Sequence, residues 1–196
     1  MNRRLFFSRV LGVGVLALAL VSRPAWGTEP RAAIAFETAG FALLLLAALG
    51  RLWTTAFIGG RKRSVLVTEG PYSVMRHPLY GFSLVGFIGT GLAFGSLTIA
   101  GLLGVTFALT HWPTMRAEDA WLRARFGQDF ERYARAVPSL LPAPHRFRTP
   151  EILHVDSSVF ARAVIESAAV LAVFPIARVA AWAHAAGILP AVFPLP

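Results

Sequence analysis

Gly70-Pro71-Tyr72-Ser73-Val74-Met75-Arg76-His77-Pro78-Leu79-Tyr80 is a dense polar and aromatic island set between long apolar runs. Arg and His at the ends of apolar segments carry a cost that a membrane protein accepts where it needs them, so chemistry is to be sought here. The island reads as the mouth of a site at a membrane surface.

The surrounding composition sets the class. With 196 residues, 56% hydrophobic content and only 15% charged residues, and a mean hydropathy of +0.60, the chain is too apolar for an ordinary soluble domain of its length. It reads as an all-α, polytopic integral membrane protein of four to five transmembrane helices. The net charge of +9 sits in short basic clusters between apolar runs, where the positive-inside rule places it, which argues against nucleic acid as a partner. The chain has no cysteine, so disulfides, thiolate metal sites and a Cys nucleophile are excluded.

Working outward, Leu5 to Val21 is nearly all apolar behind Asn2-Arg3-Arg4, and Ala25-Trp26-Gly27 resembles a small-residue cleavage site. Residues 1–31 are therefore a signal-like or first transmembrane segment, with retention preferred. A span from about Ala32 to Gly50 follows, anchored by Arg51 and Trp53 ahead of the basic run Arg61-Lys62-Arg63, which places that run in the cytosol. The apolar block from Pro78 to Trp112 is too long for one span and breaks near Phe94-Gly95-Ser96, giving a helical hairpin, Leu79 to Ala93 and Leu97 to Trp112. Both hairpin ends then face the cytosol, and the site faces it too, in a cell membrane that the Arg-rich start suggests is a bacterial inner one.

That topology puts Thr68 to Pro78 and Thr114 to Pro150 on one side. The stretch from Met115 to Phe126 has a helical pattern with Met115, Leu122 and Phe126 near one stripe, and Gly127 ends or bends it. A short helix from Asp129 to Ala136 precedes Val137-Pro138, and Pro138, Pro142 and Pro144 keep the next stretch extended. Residues 32–150 form the core by this reading. Residues 151–196 are an apolar C-terminal extension in which Phe160 to Leu189 is a kinked further span or an interfacial helical pair, and Arg162 and Glu166, four apart, can pair on a helix.

At this point a resemblance becomes specific. Leu66-Val67-Thr68-Glu69-Gly70-Pro71-Tyr72, then Arg76-His77-Pro78-Leu79-Tyr80, then Glu118-Asp119 three residues before Leu122, then Phe126-Gly127 with Phe130, Tyr133, Val137-Pro138 and Leu141-Pro142, resembles the isoprenylcysteine carboxyl methyltransferase family. Related membrane methyltransferases acting on phospholipid amines share much of this pattern. The likeness covers about Arg51 to Pro142. It implies a helical pocket at the cytosolic membrane face, S-adenosylmethionine as cofactor, the bilayer as surroundings, and a lipid or isoprenoid-like carboxylate or amine as acceptor.

The residues give that implication physical sense. S-adenosylmethionine carries a sulfonium, a carboxylate, an amine, a ribose and an adenine. Tyr72 and Tyr80 can offer aromatic faces to the sulfonium, and the planar fork of Arg76 suits a carboxylate. His77 can donate or accept, Pro78 suits the first helical position, and Glu118 can hold ribose hydroxyls or the amine. These six are the expected cofactor-binding residues. Asp119, Glu118 and Arg116 are the expected catalytic group, orienting an acceptor or taking its proton. Methyl transfer is an in-line displacement at an already activated carbon, so positioning in a dry site should supply most of the rate.

Each feature alone has a plainer reading. Gly-Pro-Tyr is a common turn, Arg-His at a helix end is often an interfacial anchor, and Glu118-Asp119 alone would be a solvated helix face; together at this spacing they favour a site. His111 beside Trp112 reads as a belt residue, Trp121 and Phe126 as packing, and the Val137 to Pro144 tail as either a structural clamp or an adenine wall. His145 and His154 lack metal spacing, and no metal is expected. Thr114 and Asp119 stand where isoprenylcysteine methyltransferases resemble one another in carrying Arg and Glu, which leaves the acceptor more open than the cofactor; Arg116, two residues along, can substitute for the missing guanidinium. Two other readings remain: a membrane reductase using NADPH on a sterol-like or enone lipid, which resembles this chain in an Arg-His-Pro-x-Tyr stretch, and a non-catalytic scaffold that keeps the fold.

Overall fold

The computed structural model describes residues 13–15, 17–24, 29–60, 64–190 and 192–196. It is predominantly helical, as expected. The cleavage-like Ala25-Trp26-Gly27 and the basic run Arg61-Lys62-Arg63 lie outside the described residues; residues 13–15 and 17–21 are helical.

Helix α1, Pro30–Ile58, starts on a proline, whose missing N–H costs nothing in a first turn. Its 29 residues extend about 44 Å at 1.5 Å per residue, more than the bilayer's apolar thickness. It runs past the expected end at Gly50, because Arg51 finds partners that keep it within a helix: Nη1 donates to Ser83 Oγ at 2.6 Å and Nη2 to Glu166 Oε2 at 3.0 Å.

Helix α2, Pro71–Val74, is one turn; α3, Pro78–Ala93, again opens on proline. Helix α4, Leu97–Phe126, is capped by Ser96, whose Oγ accepts from Ile99 N at 3.2 Å. The expected break at Trp112 does not occur: α4 continues through Pro113 into the charged stretch. Proline inside a helix is tolerated where surrounding groups can satisfy the freed carbonyl. Gly127, with φ +52°, ends α4, and α5, Gln128–Ala136, follows with Asp129 and Glu131 in its first turn and Arg135 in its last, matching the helix dipole.

Helix α6, Ser157–Ala185, is a single helix with Pro175 inside it, so the extension is neither an interfacial pair nor broken. Asp156 Oδ1 caps it, accepting from the backbone of Ser158 and Val159, each at 3.0 Å. Glu166 does not pair with Arg162; it pairs with Arg51. An i,i+4 pair is worth a few tenths of a kcal/mol, whereas a half-buried guanidinium without its carboxylate costs more. Among the described residues α1 and α6 are long and apolar enough to cross a membrane, and α3 is a shorter apolar helix.

The chain forms two compact units. One comprises residues 1–46, 84–110 and 169–196; the other comprises 47–83 and 111–168. In the first, Leu44, Ala93 and Ala177 are buried together, and Gly40 lets backbones touch: a Cβ there would lie 2.5 Å from Ala93 N. Arg178 Nη2 donates to Ala93 O, the last residue of α3, at 2.6 Å, and its Nη1 pairs with Glu37. Strands β1, Ser22–Pro24, and β2, Phe193–Leu195, pair in parallel with Ser22 opposite Phe193. Chemistry-bearing residues concentrate in the second unit.

Candidate functional site

The second unit builds its site on a backbone clamp. Gly70 adopts φ +59° to start α2, and Met75 is extended, so the chain turns sharply on either side of one helical turn. The proline-rich tail runs beside it. Arg76 N donates to Pro138 O at 2.8 Å, His77 N to Ser139 O at 3.0 Å, Ala143 N to Val74 O at 3.0 Å, and Gly70 N to Arg148 O at 2.6 Å. Proline's carbonyl still accepts although it has no N–H to offer, so the stretch can hold its neighbour without a second strand. Thus Thr68 to Pro78 and the chain beyond Thr114 do meet, and the Val137 to Pro144 tail is the clamp, absent from the cavity wall.

Helix α5 closes one side. Phe130, Tyr133 and Val137 are buried, with Leu66, Leu122, Phe126 and Ala134 packed on them. The Tyr133 hydroxyl donates to Tyr72 O at 2.7 Å, tying the island to α5. Burial, reinforced by Glu118, pushes the Tyr72 phenol up; burial likewise raises Tyr133, although Arg76 opposes it. Both phenols stay protonated at neutral pH.

Between these walls lies a cavity of about 350 Å³. Its polar floor is Tyr72, Arg76, His77, Tyr80 and Glu118, and its other walls include Ile58, Val65 to Val67, Thr114, Ala117, Trp121, Leu122 and Tyr133. A side recess of about 50 Å³ adds Pro78 and Leu79. The volume is within the range of small-molecule sites. Thr114, Ala117, Glu118 and Trp121 recur at helical spacing, so one face of α4 forms a wall.

A charged network underlies the floor. Asp119 Oδ1 lies 3.0 Å from His77 Nε2, and Oδ2 lies 3.3 Å from Arg76 Nη2. Arg76 Nη1 donates to Ala134 O at 3.2 Å, at the end of α5. Burial pushes the Asp119 carboxyl up, but the His77 hydrogen bond and the charges of His77, Arg76 and Arg123 outweigh it and hold it below the usual carboxylate range. Glu118 Oε2 is 4.0 Å from the other ring nitrogen, His77 Nδ1, and Glu118 lines the cavity together with Tyr80. The Tyr80 ring stands edge-on to both His77 and His111, at 5.8 Å from each.

All six expected cofactor residues are therefore together: Tyr72, Arg76, His77, Tyr80 and Glu118 on the floor, and Pro78, fully buried, in the recess. The three expected catalytic residues separate. Glu118 faces the cavity; Asp119 lies behind it, committed to Arg76 and His77; Arg116 is on another face of α4, its guanidinium 5.6 Å over the Trp112 ring. His111, expected in the interfacial belt, packs on Tyr80, and Trp121, expected as packing, lines the cavity. Ile58, Val65 and Ala117 carried no motif signal. The helical spacing from Thr114 to Trp121 was the readable sign of the wall. Among the described residues no cluster suits a metal ion.

The residues fit S-adenosylmethionine by their donors as well as their faces. Arg76 Nε is buried with no hydrogen-bond partner, which leaves a charged donor unsatisfied beside the floor, and an anionic group such as the cofactor's carboxylate would satisfy it. Glu118 and the tyrosine faces suit its positive charges.

Comparison with known proteins gives a consistent picture. A model of the phospholipid methyltransferase family matches residues 33–129. The chain is 36% identical over 188 residues to the cobalt-zinc-cadmium resistance protein CzcN of Cupriavidus metallidurans, covering 95% of this chain and 86% of that one. It is 36% identical over 155 residues to the nickel-cobalt-cadmium resistance protein NccN of Alcaligenes xylosoxydans xylosoxydans, covering 79% and 72%. It is also 33% identical over 81 residues, 39% of each chain, to protein-S-isoprenylcysteine O-methyltransferase B of Arabidopsis thaliana. No solved structure matches.

Proposed function

This chain belongs to the family of membrane methyltransferases that takes in the phospholipid and isoprenylcysteine enzymes, and we propose that it moves a methyl group from S-adenosylmethionine to a lipid-like or isoprenoid carboxylate or amine. The observation that carries this reading is the polar floor of Tyr72, Arg76, His77, Tyr80 and Glu118 at the base of one cavity. The cofactor supplies a methyl group activated by its sulfonium. The protein's part is to hold and orient it: Arg76 on the carboxylate, Glu118 on the amine or ribose, and the tyrosine faces around the sulfonium. The largely apolar walls would seat the acceptor's tail and exclude water from the transfer.

In the membrane the chain has four to five spans, with the cavity facing the cytosol in a bacterial inner membrane. Residues 32–150 are the methyltransferase core and the α6 region is its C-terminal extension. The acceptor enters from the bilayer. Bilayer entry suits a cavity whose polar floor is walled by Ile58, Val65 and Trp121.

Calorimetry on the detergent-purified protein tests the reading. S-adenosylmethionine and S-adenosylhomocysteine should bind saturably, and Arg76→Ala should lose at least about tenfold in affinity, the scale of a charge-assisted hydrogen bond. Binding of NADPH in place of both would overturn it in favour of a reductase.

A further inference from the structure

The His77 ring has one nitrogen committed to Asp119, and the residue lines the cavity. His77 is 4% exposed, and its Nε2 lies 3.0 Å from Asp119 Oδ1. An ionised carboxylate only accepts, so Nε2 must carry the proton. In the neutral ring the lone pair is then on Nδ1. That atom is on the Glu118 side, 4.0 Å from Oε2, too far for a hydrogen bond between them, and both residues line the cavity.

We propose that His77 Nδ1 is the proton acceptor of the methyl transfer and that Asp119 is its positioning residue, so that the acceptor attacks through an atom bearing a proton, an amine or hydroxyl and not a carboxylate. The inference rests on the methyltransferase reading above. As the attacking atom bonds to the methyl carbon, the carbon–sulfur bond breaks with its electron pair going to sulfur, and the attacking atom's proton passes to Nδ1. The resulting imidazolium lies between two carboxylates, Asp119 at 3.0 Å and Glu118 at 4.0 Å, which offset its charge. The charged and titratable groups around the ring are Arg76, Glu118, Asp119 and Tyr80, with Tyr72 and Tyr133 on the same cavity. Asp119 is held ionised by Arg76 and Arg123 as well as by its hydrogen bond to His77, so the tautomer is set by more than the ring it holds. A carboxylate acceptor would bring no proton for Nδ1 to take and a third negative charge beside Glu118.

The test uses the full chain in detergent. Methyl transfer from labelled S-adenosylmethionine to dodecylamine and to dodecanoate is followed at one fixed pH, beside calorimetric binding of S-adenosylhomocysteine. The amine should be methylated in preference to the acid. His77→Asn should cost about 100-fold in kcat, within the range for a general base, a loss larger than any that accompanies it in S-adenosylhomocysteine affinity. Asp119→Asn should lower kcat about tenfold and leave KM for the amine unchanged, and Asp119→Glu should restore part of the rate. Preference for dodecanoate, or a His77→Asn enzyme whose kcat stays within about threefold of the wild type, overturns the proposal and leaves the methyltransferase reading intact. Failure of the wild type to bind S-adenosylhomocysteine overturns the reading itself. If neither probe is methylated, nitrogen NMR of histidine-labelled protein decides: a proton on Nε2 of neutral His77 supports the assignment, and a proton on Nδ1 overturns it.

Discussion

Phe57 packs directly against Gly70: a Cβ built at Gly70 would come within 2.3 Å of Phe57 Cε1. The same glycine holds φ +59° and opens the turn that carries Tyr72, Arg76 and His77. Space and backbone both require glycine at this position. Gly70→Ala should lower stability by about 3 kcal/mol, combining the left-handed backbone penalty with overpacking. Thermal unfolding in detergent would read this as a melting temperature several degrees lower, with S-adenosylhomocysteine affinity lost in step. An unchanged melting temperature would show that Phe57 moves aside.

Asp119 makes stability depend on acid in a defined direction. Its folded carboxyl is held below its ordinary value, so its contribution is complete above the unfolded pKa, near 3.9, and disappears as pH falls through the lower folded value. The gap in stability between wild type and Asp119→Asn should be constant above about pH 5 and close below about pH 4. Denaturant titrations at several pH values measure it, and a gap that widens on acidification would reverse the assignment.

Glu37 and Arg178 join α1 to α6 in apolar surroundings, and Arg178 also caps α3 through Ala93 O. Glu37→Ala leaves a guanidinium short of its carboxylate and should destabilise by about 1–3 kcal/mol. The double variant Glu37→Ala/Arg178→Ala should cost less than the sum of the singles, because the stranded charge goes with its partner. Additive losses in melting experiments would mean that the pair is not coupled.

Ala117 is on the exposed face of α4 that lines the cavity. Ala117→Trp should fill part of the 350 Å³ and weaken S-adenosylhomocysteine or acceptor binding at least about tenfold with little change in melting temperature, since the site is surface-open and away from the buried core. Binding calorimetry and a methyl-transfer assay distinguish which ligand is displaced.

Arg116 stacks on Trp112 and does not line the cavity. Arg116→Ala should therefore leave S-adenosylhomocysteine affinity and kcat within about twofold, the scale of an exposed cation–π contact. A loss of tenfold or more in either would return Arg116 to the catalytic group.

Much of the site could be read along the chain because its residues are neighbours there. Tyr72 to Tyr80 fall within nine positions, and Glu118 and Asp119 within two, so resemblance and local chemistry sufficed to select them. What each acid does could not be read. Adjacent residues on a helix point about 100° apart, and which one meets the cavity depends on the rotation of α4, fixed by burial of Met115 and Leu122 against the rest of the unit. Local rules also misled where a stronger distant partner existed. The Arg162 and Glu166 spacing is favourable, yet Arg51, 115 residues from Glu166, takes the carboxylate. Pro113 looks like a stop, yet helix α4 passes through it.

By itself the sequence determined that the chain is a helical membrane protein with an Arg-His-Pro island, because apolar run length and residue type are properties of consecutive positions. Only the tertiary structure decided that the proline-rich tail is a clamp, that Glu118 faces the cavity while Asp119 holds His77 and Arg76 from behind, and that Arg116 stands apart. Those assignments depend on helix rotation and on hydrogen bonds between residues 42 to 78 positions apart, which local spacing does not specify. They form where packing brings the partners within about 3 Å.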